Sequence, residues 1–240
     1  MVLKEKQIVQ PYYLIDPNRR SLRNEIKAQT TIKNRLFQEY PHTKSLLKPT
    51  FFYEEGDITP DEEITEAYNI IRQIQKVDYQ YSWLSRFCKQ LNIWDMELCE
   101  QSLGQLDELP AIRFFSSFLV LSENSREAKI DEIFNDTAMQ TLFKYFRFPI
   151  RGYTRQEMEA EAEAQGWANY LYMTWSCHHP VQQRYPCGTC GPCQMTIKQG
   201  YANRIPWHRR LYAWSGLEKW RSKAAKIFKR VYPNFHQWKG

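Results

Sequence analysis

The chain has 240 residues, 42% of them hydrophobic and 25% charged, which is enough apolar material for a real core and excludes a disordered or fibrous class. No run of about eighteen apolar residues occurs, so a membrane-spanning helix is not expected, and no charged-then-apolar signal segment opens the chain, so the cytoplasm is the expected compartment. The net charge of +6 is unevenly spread. Residues 203–240 hold ten Lys/Arg against one acid, which is +9 for that segment and −3 for the rest.

In chain order, IVQPYYLID (8–16) reads as a short buried strand, with PNRR turning the chain after it. From Ser21 to Phe37 the residues Leu22, Ile26, Ile32 and Leu36 recur at helical spacing until Pro41 stops the pattern. LLKPTFFYE (46–54) is a second strand with an irregular start at Pro49. Thr59-Pro60-Asp61-Glu62 predicts a helix start, Thr59 capping and Glu62 completing a capping box, followed by a buried stripe of Ile64, Tyr68, Ile71 and Ile74. Residues 79–103 read as two aromatic-rich helical pieces, which places Cys88 and Cys99 on helices as small hydrophobes.

The apolar run FFSSFLVL fits a buried strand or a buried helix equally. FRFPIRGY (146–153) predicts a strand leading into a turn. Thr154-x-x-Glu157 is a second capping box, opening an acidic helix that ends near Gly166. Its Glu157, Glu159, Glu161 and Glu163 alternate, so they do not share one helical face and read as a solvated surface and not a metal site.

Cys177, Cys187, Cys190 and Cys193 carry the most chemistry, because three thiols two residues apart and a fourth returned by a short loop can close a tetrahedral shell around one ion. Gly188 and Gly191 allow the tight backbone turns of such a knuckle, and Pro186 and Pro192 stiffen it. Structural zinc is the first reading. An iron–sulfur cluster and disulfides are the alternatives, the first lacking the downstream Cys-Pro of ferredoxin-type runs and the second lacking any sign of an oxidising compartment. His178 and His179, next to Cys177, are candidates only for the surroundings of the ion or for a substrate.

In the basic C-terminal part, IPWHRRLYAW leads into Ser215-Gly216-Leu217-Glu218, a third capping box predicting a helix to about Tyr232. Leu217, Trp220, Ala224, Ile227 and Val231 make its apolar stripe, and Lys219, Lys223, Lys226 and Arg230 its cationic one. With Arg209 and Arg210 these cations form a candidate nucleic-acid or anion surface, beside rings able to stack on bases. The competing expectation is that the stripe packs on the body while the lysines face water; a membrane surface or an acidic protein is a weaker partner.

TWSC followed by PCGTCGPC resembles the zinc-binding end of the 7-cyano-7-deazaguanine synthases, and FPIRGYTRQEMEAEAEAQGWANYLYMTWSC resembles the strand, loop, helix and strand leading to that family's first zinc ligand. YYLIDPNRRSLRNEIKAQTTIKNRL resembles, less specifically, its second strand and helix. By that resemblance Cys177, Cys187, Cys190 and Cys193 match the four zinc ligands. The implied fold is α/β, an incomplete PP-loop (adenine nucleotide α-hydrolase-like) parallel sheet with helices on both faces. It divides into a nucleotide-binding-like part at 1–153, a zinc-binding subdomain at 154–202 and a basic helical extension at 203–240. The implied chemistry is ligase-type: ATP adenylates the carboxylate of 7-carboxy-7-deazaguanine, ammonia attacks, and dehydration gives the nitrile, in deazapurine (queuosine-type) metabolism.

The sequence departs from that family in two places. It has no Gly-Gly pair, so the Ser-Gly-Gly-x-Asp-Ser loop that holds the ATP pyrophosphate is not among these residues. Gln194, Met195 and Thr196 stand where the family has an arginine. No catalytic residue is therefore assigned. Activity with ATP requires a partner chain supplying the loop, and the alternative is a non-catalytic zinc-stabilised module that binds nucleic acid or assembles into a complex.

Overall fold

The computed structural model describes residues 3, 5–16, 19–75, 77–101, 117–122, 126–135 and 137–217. Their contacts divide the chain into two units, one of residues 1–10, 16–49 and 169–240, the other of residues 11–15 and 50–168. The architecture is α/β with small parallel sheets. Among the described residues no helix is long and apolar enough to cross a membrane.

In the second unit, prolines shorten the predicted strands. Pro11 has no N–H to donate, so the strand expected over 8–16 contracts to β1, Tyr12–Ile15. The strand expected over 46–54 begins after Pro49 as β2, Phe51–Glu54, and pairs parallel with β1 in the register Tyr12 to Phe51. The helix expected to be capped by Thr59 starts two residues later than that cap implies, as α3, Glu62–Ile74. The extended Asp61 caps instead, accepting from the Ile64 N–H at 2.9 Å, while the Thr59 N–H donates to Gln90 Oε1 at 2.8 Å.

Ile64, Tyr68 and Ile71 of the predicted stripe are buried; Ile74, in the last turn, is 69% exposed. Among the described residues of 79–103 only the first of the two predicted helical pieces forms, as α4, Gln80–Gln90. Asn92, at φ 54°, then redirects the chain into the two-residue strand β3, Met96–Glu97. Cys88 is fully buried on α4 as expected, but Cys99 follows β3 and lies on no helix.

The ambiguous run resolves, in its described part, as β4, Leu119–Leu121, antiparallel to β5, Ala128–Ile130. The helix α5, Ala138–Phe143, leads to β6, Phe146–Arg147, parallel to β3. The strand predicted over 146–153 is short because the chain turns at once. Phe148 still exchanges two backbone hydrogen bonds with Ala128, at 2.8 and 3.0 Å, joining the end of β6 to β5. The core packs here around Ile64, Ile71, Phe87, Phe118, Leu142, Phe143 and Phe148, with the Phe118 and Phe143 rings 4.8 Å apart. Ser85, buried among them, is satisfied by donating to carbonyl oxygens.

The Thr154 capping box opens α6, Arg155–Ala164, with both reciprocal hydrogen bonds made. Gly166, at φ 73°, ends it while the Trp167 N–H reaches back to the Ala162 carbonyl.

In the first unit, α1 runs Leu22–Glu39 and none of its residues is fully buried. The short α2, Thr43–Leu46, follows, with buried Thr43 donating its hydroxyl to the Tyr40 carbonyl to close the turn. The strand expected just before Cys177 is absent. The segment instead forms α7, Ala168–Tyr172, because Tyr170 donates to Glu39 Oε2 at 2.6 Å and lies under the Arg35 guanidinium. That tertiary contact outweighs the strand preference of its two tyrosines.

Candidate metal centre

Each cysteine is delivered by a different local device. Cys177 ends an extended segment fixed where the Trp175 indole N–H donates to the Cys177 carbonyl at 2.8 Å. Cys187 and Cys190 lie on the knuckle turn, and Cys190 is the N-cap of α8, Gly191–Lys198, whose first turn carries Pro192 and Cys193. The loop from Cys177 to Cys187 closes by a turn in which Val181 and Tyr185 pair and Gln182 and Gln183 both take positive φ. Gln183 pins that turn to α1, accepting from Asn24 Nδ2 at 3.0 Å and donating to the Arg20 carbonyl.

All four Sγ atoms lie within 4.8 Å of one another, with Cys187 to Cys193 at 3.9 Å and Cys177 to Cys190 at 4.0 Å. A tetrahedral ion with bonds of about 2.3 Å to sulfur sets its ligands about 3.8 Å apart. None of the six cysteines is in a disulfide. The cluster can therefore hold a metal ion. Cys177, Cys187 and Cys193 are buried and Cys190 half-buried, walled by Trp175, Val181, Ile197 and the fully enclosed Ile205.

Electrostatics in the cluster favours thiolate at two positions. Hydrogen bonding from the Cys177 and Cys193 thiols, together with the Cys190 N–H at 3.3 Å, holds Cys187 well below the usual thiol range. Cys190 is drawn down to about 5, chiefly by the Cys177 thiol. The Cys187 N–H also donates to Cys177 Sγ, and the Thr189 N–H to Cys187 Sγ, the amide contacts that stabilise thiolate ligands.

No protein-family model, curated protein or solved structure matches this chain. The geometry alone therefore places the remaining candidates. The histidines are not ligands: His178 Nε2 lies 3.4 Å from Arg19 Nη2, and both His178 and His179 are exposed. The acidic helix α6 gathers no cluster, and Glu157 is occupied by its cap and by Arg126.

Arg209 and Arg210 sit on α9, Trp207–Trp214, and take different roles. Arg209 donates through Nε and Nη2 to the Cys187 carbonyl, at 3.1 and 2.9 Å, so it braces the cysteine knuckle. Arg210 faces solvent. Lys219, Lys223, Lys226 and Arg230, with the helix predicted to run to Tyr232, lie outside the described residues.

The sequence reading missed Arg209's brace, Arg204's hold on the Thr174 carbonyl and hydroxyl, and the burial of Ile205. Helical spacing carried a signal for the first: Arg209 falls on the opposite face of its helix from Trp207, Leu211 and Trp214. Gly188 is needed at the same contact. It has φ 81°, and a Cβ there would come within 2.7 Å of the Arg209 carbonyl oxygen.

Proposed function

We propose that this chain is a zinc-stabilised relative of the 7-cyano-7-deazaguanine synthases, serving deazapurine chemistry with ATP through a phosphate-binding loop supplied in trans. The observation that supports the reading is the convergence of Cys177, Cys187, Cys190 and Cys193, the residues that match the family's zinc ligands, onto one site sized for a single ion. Zinc fits an all-thiolate donor set of this spacing, whereas a multi-iron cluster needs a wider cage. Four protein ligands complete a tetrahedral shell and leave no position for water or substrate, so the ion's role is structural. The chemistry then belongs to other residues.

The lack of a Gly-Gly pair in these 240 residues favours a second reading, in which the fold is kept as a non-catalytic module. Elemental analysis tests the metal, and calorimetry separates the two readings. The purified chain is expected to carry about one zinc, and to bind ATP and 7-carboxy-7-deazaguanine when mixed with a partner polypeptide bearing the Ser-Gly-Gly-x-Asp-Ser loop. Iron with visible charge-transfer absorbance would refute the zinc assignment. Zinc without either ligand, alone or with that partner, would remove the enzymatic reading and leave the structural module.

A further inference from the structure

The helix α9 half-buries one side and leaves a second side bare. On its inner side Arg209 grips the Cys187 carbonyl, and its own backbone passes so close to Gly188 that no side chain fits between them. Both contacts bind the helix to the knuckle that carries two of the four cysteines. On the outer side Trp207, Leu211 and Trp214, at positions i, i+4 and i+7, form one stripe, and they are 66%, 54% and 87% exposed. Two indoles left this bare on a helix of eight residues mark an interaction surface. Arg210, three residues after Trp207 and four before Trp214, lies on the flank of the same stripe and is exposed.

We infer that this face binds single-stranded nucleic acid, bases stacking on Trp207 and Trp214 while Arg210 meets the phosphate backbone. Seven residues of helix separate the two indoles by about 10 Å, a span that takes bases two or three apart on one strand. Charge selects the partner. The segment from 203 to 240 carries +9, which attracts a polyanion and repels a second copy of itself. A lipid surface is a poorer match, because three apolar side chains on two turns bury little area. The cysteine knuckle, on this inference, is the platform that holds the stacking helix. The inference does not rest on deazapurine or ATP chemistry and stands or falls separately from it.

The test is binding of a fluorescein-labelled oligouridylate of about twenty nucleotides to the metal-loaded protein, followed by anisotropy across a salt series. The double variant W207A/W214A is expected to bind about tenfold more weakly or worse, and W207F/W214F to recover most of the loss, since phenyl rings also stack. Arg210→Ala is expected to lower the slope of log K against log salt by about one. All three side chains are exposed, and unchanged circular dichroism and metal content verify the fold of each variant. Wild-type affinity in W207A/W214A would overturn the inference. So would binding to phosphatidylserine vesicles with none to oligouridylate, or Trp-dependent self-association without oligouridylate binding.

Discussion

Glu157 shows how one carboxylate does two jobs. It accepts from the Thr154 N–H at 2.8 Å to close the capping box and pairs with Arg126 Nη1 at 2.7 Å. The Thr154 N–H first, then the Arg126 guanidinium and the Thr154 hydroxyl, pull its carboxyl from the ordinary 4.5 down to about 2. A value lowered on folding gives stability that is complete above about pH 4.5 and is lost as the pH falls toward 2. Glu157→Gln cannot ionise. Its melting temperature is expected to lie below that of the wild type above pH 5, and the gap to close as the pH approaches 2; thermal melts followed by circular dichroism across that range check this. A gap independent of pH would mean that the charge contributes nothing. The Thr154-x-x-Glu157 box was legible in the sequence because its bonds are local, whereas Arg126 lies 31 residues away and had no local signal.

At the scale of elements, helices were easier to read than strands. The period of apolar residues found α1 and α3, because a helix satisfies its own backbone and repeats its inward-facing residues at a fixed spacing. Strands of two to four residues have too little pattern to bound, and where they begin and end was set by neighbouring prolines and by which partner strand each meets. The stripe of α3 makes the point quantitative. Ile71 is 1% exposed and Ile74 69%, although both fit the same helical period. Ile71→Ala is expected to destabilise by about 3 kcal/mol, through lost transfer energy and a cavity, and Ile74→Ala by less than about 0.5 kcal/mol. Urea titrations of the two variants measure the difference, and similar losses would place Ile74 in the core.

At the scale of the molecule, the two hydrophobic clusters differ in kind. One is aromatic and aliphatic and centres on Phe87, Phe143 and Phe148; the other consists of Cys177, Cys187, Cys193 and Ile205 with a few partly buried neighbours. The second has few carbon contacts of its own, so a metal ion held by its thiols would supply much of its stability. Chelation, or Cys190→Ser, is expected to release the metal and to strip hydrogen-exchange protection from residues 174–205, while amides around Phe143 and Phe148 stay protected. Protection retained at 174–205 without metal would show that packing alone suffices there. The sequence by itself determined the four-cysteine motif, the Thr154 cap and the segregation of positive charge, since each depends on residue type and short spacing. Only the tertiary structure decided that the thiols meet at a single site, that Arg209 turns inward to brace Cys187 while Arg210 stays in water, and that Trp207 and Trp214 remain uncovered. Those outcomes depend on which distant backbone each side chain meets, and no local pattern encodes that.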